Sequence, residues 1–202
     1  VPPLELAILA TFRPLHRCAC AAALAGLDGG PEIAALIKQQ ISEPLEEADL
    51  RPQIPQLTPI RNSVSQSVRA QYEESPYPRW INTKQIRQAR TIESELQKPP
   101  YHFDLGDFKS PAAPAILIAG CGTGQHSLNT ASKFLGARVR AIDLSLSSLA
   151  YARRKTRELG VTNIDYAQAD IMELGGLEQR FDLIESAGVL HHMADPLAGW
   201  RV

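Results

Sequence analysis

The 202 residues are 44% hydrophobic and carry 21 basic against 22 acidic side chains, a formal charge of −1. That length buries the core of one large or two small domains. The near-neutral balance excludes attraction by bulk charge to nucleic acid or an anionic membrane, so neither is an expected partner and small molecules or local protein surfaces are.

Cys18, Cys20 and Cys121 form no C-x-x-C pair. An odd count without that spacing points away from a disulfide framework and from a metal site, and fits a reducing cytoplasm. The apolar stretch from Leu4 to Leu27 is broken by Arg13, Pro14, His16 and Arg17, so neither a membrane span nor a signal segment is expected.

Residues 1–100 read as a helical N-terminal region with proline-rich connections. Between Asp28 and Ile41, Pro31 suits a first helical turn. Ile33, Leu36, Ile37 and Ile41 keep helical spacing until Pro44, which is expected to end the pattern. Pro52, Pro55 and Pro59 make residues 51–60 an extended linker. Asn62 or Ser63 then caps a helix with Val64, Val68 and Tyr72 in one stripe. Thr83 is expected to cap another, carrying Ile86, Ala89, Glu93 and Leu96 down one side.

From about Ala115 short apolar runs alternate with helical segments, the pattern of a parallel α/β sheet. Strands are predicted at Ala115–Ala119, Arg138–Ile142, Asn163–Ala167 and Phe181–Glu185. Helices are predicted at Gln125–Leu135, at Ser145–Leu159 and from Asp195. The basic run Arg153-Arg154-Lys155-Thr156-Arg157 lies opposite Leu146, Leu149 and Leu159 and reads as a solvated helix face.

The first of these strands enters Gly120-Cys121-Gly122-Thr123-Gly124, which opens a helix. Glycines there let the backbone approach a ligand and supply N–H donors, although a tight turn packed on a neighbouring strand needs them too. Asp143, at the end of the second strand, suits a pair of ribose hydroxyls; it also suits capping the helix near Ser145. Asp170-Ile171 follows the third strand, so three strand ends present polar groups to one crevice. The dinucleotide fingerprint needs a glycine where Gln125 stands, and this disfavours a pyrophosphate ligand.

In order and spacing these segments, with Ala187-Gly188-Val189-Leu190-His191-His192 after the fourth strand, resemble the class I S-adenosylmethionine-dependent methyltransferases over residues 114–202. The resemblance implies a Rossmann-like three-layer fold with sheet order 3-2-1-4, an S-adenosylmethionine-binding domain over residues 101–202, and methyl transfer to a small molecule or protein. It also implies that the turn, Gly120 to Gly124, lies beside the methionine part of the cofactor and that Asp143 holds the ribose. Leu144 and Ile171 would flank the adenine, Asp170 would accept from its amine, and Ser186 joins the binding set.

Less specifically, residues 60–82 resemble a segment upstream of such domains in some bacterial proteins. Tyr77 and Trp80 there are candidates for a lid over the sulfonium, since an aromatic face attracts a cation; core packing is the other reading. His191 or His192 would serve as a base where the acceptor must lose a proton. An oxidoreductase domain or a non-catalytic module on the same fold are the other function classes weighed. The family fold has seven strands, so the chain is expected to be a C-terminally truncated part of it, with self-association through the exposed fourth strand.

Overall fold

A computed structural model describes residues 2–83 and 88–202. They form two compact units, Val1–Pro52 and Gln53–Val202.

The first unit is helical: α1 (Pro3–Phe12), α2 (Ala21–Ala25), α3 (Gly30–Ile37) and α4 (Glu43–Leu50). Its core gathers Leu6, Leu15, Leu24, Ile33, Ile37 and Ile41, the last three from the expected stripe. Pro44 does not end that stripe. It sits in the first turn of α4, and a π-turn, Lys38–Ser42, joins α3 to α4. The proline has no N–H to offer Gln40; the Gln40 carbonyl instead faces His16 Nδ1 at 3.3 Å, while Glu43 N–H reaches back to Lys38 O.

The second unit is built on four parallel strands in the order β3-β2-β1-β4: β1 (Ala115–Ala119), β2 (Arg138–Asp143), β3 (Ile164–Gln168) and β4 (Leu183–Glu185). Ile116 lies between Val139 and Leu183, and Ala141 pairs with Tyr166. Ile116, Ile118, Ala141 and Ile142 are all but inaccessible, as strands covered on both faces must be. Helices α5 (Ser63–Glu74), α6 (Ile92–Leu96), α7 (Gln125–Lys133), α8 (Leu146–Glu158) and α9 (Pro196–Arg201) complete the unit. β4 is shorter than its apolar run predicts. Asp182 replaces the ladder at its start, its N–H donating to Ala115 O and its carboxylate accepting from Ala115 N–H, both at 2.8 Å.

The extended linker pairs with the sheet: Gln56 bridges Gln168, and Leu57 N–H and Gln168 N–H close the ladder at 2.8 Å each. Asn62 caps α5, accepting from Val64 and Ser65 N–H. The helix expected from Thr83 is corrected in its described part, Ile86 lying outside the described residues. Arg90 exchanges backbone hydrogen bonds with Lys133 and Leu135, which commits it to extended backbone, so the helix starts at Ile92 with Thr91 as cap.

The solvated reading of the basic run holds for Arg157, which is exposed, and is corrected for Arg154 and Lys155. Arg154 and Lys155 are 3% and 5% exposed. Arg154 lies over the Tyr151 ring and Lys155 over Trp80, while Lys155 Nζ donates to Ile81 O and pairs with Glu158. The 77–81 segment covers that helix face, and the cations remain matched by rings, a carbonyl and a carboxylate.

Glu185 locks β4 to α7. Its carboxylate accepts from Thr130 and meets His126 Nε2 at 3.0 Å and Lys133 Nζ at 3.4 Å. Burial alone would push this carboxyl up, but the hydrogen bonds from His126 and Thr130 and the charge of Lys133 bring it down from 4.5 to about 2. Because the folded value lies below the ordinary one, the stabilisation is complete above pH 4.5 and fades as the pH falls toward 2. Denaturant unfolding should show Glu185→Gln destabilised on the order of 2 kcal/mol at pH 7, with the gap narrowing through that acid window; a gap independent of pH would contradict the lock.

Candidate functional site

A cavity of about 530 Å³ opens at the carboxyl ends of β1, β2 and β3. Its floor is the glycine turn. Gly120 and Cys121 N–H both donate to Ile142 O, at 2.9 and 2.8 Å, which hooks the turn over the end of β2. Gly122 N–H then donates to Asp143 Oδ2 at 2.8 Å, while Asp143 Oδ1 accepts from Ser145 N–H at 2.9 Å. Asp143 therefore shapes the turn and starts α8 at once. Burial pushes its carboxyl above the ordinary value, against the pull of the Ser145 and Gly122 hydrogen bonds.

The glycines of the turn have different reasons to be glycine. A Cβ on Gly124 would lie 2.6 Å from the Ala152 Cβ, so that position is required by packing against α8. A Cβ on Gly122 would meet nothing nearer than Tyr77 O at 3.7 Å, and its φ is +52°. Gly122 thus leaves open space toward the cavity, whereas Gly124 fills a packing contact. Cys121 is buried, and desolvation holds its thiol well above the ordinary value, so it stays a neutral small side chain.

At the end of β3, Asp170 is 1% exposed. Its N–H donates to Thr58 Oγ1 and its Oδ1 accepts from Met172 N–H. Its Oδ2 is buried with no hydrogen-bond partner among the described residues, which is costly unless a ligand supplies a donor. Leu144 and Ile171 line the same side.

The α5 stripe Val64, Val68 and Tyr72 forms the opposite wall. Glu73, on the same helix, accepts from Leu146 N–H at 2.6 Å and from Ser147 N–H and Oγ at 3.1 and 2.6 Å. This anchors α5 to the N-terminus of α8, where a carboxylate is favoured. Tyr77 and Pro78 continue the wall, although Tyr77 is 73% exposed. Trp80 is not on the cavity. It packs on Leu128 and Tyr151 behind the turn and donates Nε1–H to Thr123 O at 3.0 Å, while Thr123 Oγ1 donates to Pro78 O at 2.6 Å.

Gly188, Val189 and His192 close the β4 side. His192 meets the Tyr72 ring edge-on and stacks beside His191, which is exposed and does not line the cavity. Ser186 also stands outside it, donating its hydroxyl to Ala119 O at 3.0 Å. Sequence reasoning missed His126, which lines the cavity from the first turn of α7, and the Glu73 anchor. A histidine two residues past a glycine turn was the only signal for the first.

Residues 116–199 match the family described as "Methyltransferase domain". The chain is 34% identical over 140 residues to an uncharacterised protein of Synechococcus sp., covering 68% of this chain and 33% of that one. It is 40% identical over 80 residues to the ubiquinone biosynthesis O-methyltransferase of Methylocella silvestris, covering 40% of this chain and 30% of the relative. Among solved structures, a putative S-adenosyl-L-methionine-dependent methyltransferase of Methanococcus maripaludis is 16% identical with a TM-score of 0.42, over 72% of this chain and 60% of that one. The chain spans about a third of the length of the curated relatives it matches. Residues 116–199 thus match a methyltransferase domain, the family that the sequence motifs resemble.

Proposed function

We propose that the protein transfers a methyl group from S-adenosylmethionine to an acceptor held at the β4 side of the cavity. The observation that carries this reading is Asp170, a carboxylate oxygen sealed from water and lacking a donor, beside the apolar side chains of Leu144 and Ile171. A planar base carrying an exocyclic amine would satisfy both.

In this reading Asp143 accepts the ribose hydroxyls with lone pairs left over from its two backbone N–H donors, and Asp170 accepts from the amine. Gly120, Cys121, Gly122, Thr123 and Gly124 run beside the methionine part, Gly122 providing the closest approach. Tyr77 lies over that part, while Trp80 and Ser186 act at one remove, Trp80 by fixing Thr123 and Ser186 by tying the β4 loop to β1. Of the adjacent histidines, His192 is the one proposed to touch the acceptor. The cofactor supplies an electrophilic methyl group; the chain has to align donor and acceptor and keep water out.

By motif, residues 101–202 supply the cofactor-binding domain and residues 1–100 a helical region whose 53–80 segment walls it in. Three free cysteines favour a reducing, cytoplasmic setting. The edge of β4, with Ile184 60% exposed, is proposed as a surface for pairing with a further strand, including one from a second copy.

Asp143→Ala should weaken S-adenosylhomocysteine binding by about 1–3 kcal/mol in titration calorimetry, and unchanged affinity in a folded variant would remove its ribose role. Gly122→Val should cost about 1–2 kcal/mol of stability through its positive φ while abolishing measurable binding. Normal binding by a folded fraction that melts far lower would make the turn purely structural.

A further inference from the structure

We propose that His126, oriented by Glu185, is the proton acceptor for an uncharged, hydroxyl-bearing methyl acceptor on the β4 side of the cavity; this rests on the methyltransferase reading above. The sheet order β3-β2-β1-β4 puts Asp170 and Asp143 on one side of the glycine turn and the Glu185–His126 pair on the other. If the nucleoside fills the β2–β3 side, the reacting end and the acceptor face β4.

A carboxylate only accepts hydrogen bonds, so the 3.0 Å contact from Glu185 Oε2 fixes the hydrogen on His126 Nε2. The neutral ring then carries its lone pair on Nδ1, and His126 lines the cavity. Glu185 is itself held in place by Thr130 and by Lys133, so it stabilises the imidazolium without taking its proton.

The other polar groups of the cavity are engaged or lie elsewhere. Asp143 is bound to Gly122 and Ser145, Asp170 stands at the far side, and Glu73 is committed to α8. Among the described residues His192 shows ring contacts with Tyr72 and His191 and no carboxylate to orient it. The charged groups facing His126 are Glu185 from β4 and Lys133 from its own helix, with His192 and Tyr72 on the same cavity.

Glu185 is already matched by Lys133 and by the His126 N–H, and Asp195, the other carboxylate on this side, accepts from Leu197 and Ala198 N–H as the cap of α9, so neither is set to hold an ammonium acceptor. Val68, Tyr72, Val189 and Met193 make the lining apolar and aromatic, which suits an uncharged compound such as a phenol. In the step, the acceptor oxygen forms its bond to the methyl carbon as the carbon–sulfur bond breaks. The electron pair stays on sulfur, giving the neutral thioether, and the hydroxyl proton passes to His126 Nδ1.

The test is nitrogen-15 NMR of the imidazole groups in the whole chain saturated with S-adenosylhomocysteine, with catechol as the hydroxyl probe, in the unaltered protein, E185Q and H126Q. At pH 8 the His126 ring should carry hydrogen on Nε2 alone, and catechol should shift the Nδ1 resonance saturably. E185Q should lose the fixed tautomer, so that hydrogen appears on Nδ1 of the neutral ring as well. H126Q should bind catechol at least about fivefold more weakly while S-adenosylhomocysteine affinity stays within about twofold. Hydrogen on Nδ1 of the neutral ring in the unaltered protein, an Nδ1 resonance indifferent to catechol, or unaltered catechol binding by H126Q would overturn the proposal. Failure of the unaltered chain to bind S-adenosylhomocysteine would remove the methyltransferase reading and this proposal with it.

Discussion

The site depends on one backbone oxygen. Ile142 O receives two successive N–H groups of the glycine turn, so the loop leaving β1 is forced over the end of β2 rather than running on into solvent. Gly122 N–H then falls on Asp143, and Asp143 in turn starts α8 through Ser145. A single register between two parallel strands thus sets the turn, the acidic residue beside it and the helix behind it. Shifting β2 by one residue would reverse the face each of its side chains presents and would separate all three.

Around that hook the upstream segment acts as a second frame. Thr58 holds the Asp170 backbone, Glu73 occupies the N-terminus of α8, and Trp80 with Pro78 grips Thr123 from behind. Each contact ends on a residue next to or within the cavity wall. The wall built by α5 is therefore tied to β3, α8 and the turn at separate points, and the stripe Val64, Val68 and Tyr72 faces inward because both ends of its helix are anchored. This arrangement lets an apolar helix face serve a cavity, where in most surface helices it would serve the core.

The legible parts of the sequence were those where local chemistry decides the outcome. β1 is an apolar run between turns, and β2 and β3 bury Val139, Ala141, Ile142, Tyr166 and Ala167, so their positions follow from the residues themselves. Asn62, Ser145 and Asp195 cap the helices they precede. What stayed hidden was set by partners far along the chain. Arg154 and Lys155 read as solvated because nothing nearby says that residues 77–81 will cover them. His126 and Glu185 lie 59 residues apart, and no spacing links them. Pro44 reads as a stop because the sequence does not show that His16 faces the Gln40 carbonyl the proline leaves without its N–H.

The cavity joins a carboxylate oxygen without a donor, Asp170 Oδ2, to an open glycine approach, a pairing that an adenosyl group with its amine would fill. Titration calorimetry of the whole chain with S-adenosylhomocysteine, with its inosyl analogue in which the amine is replaced by a carbonyl, and with NAD tests this directly. S-adenosylhomocysteine should bind saturably, its inosyl analogue at least about tenfold more weakly because Asp170 then faces an acceptor, and NAD should not compete. Equal affinity for the two homocysteine compounds, or displacement by NAD at comparable concentration, would contradict an adenosyl occupant.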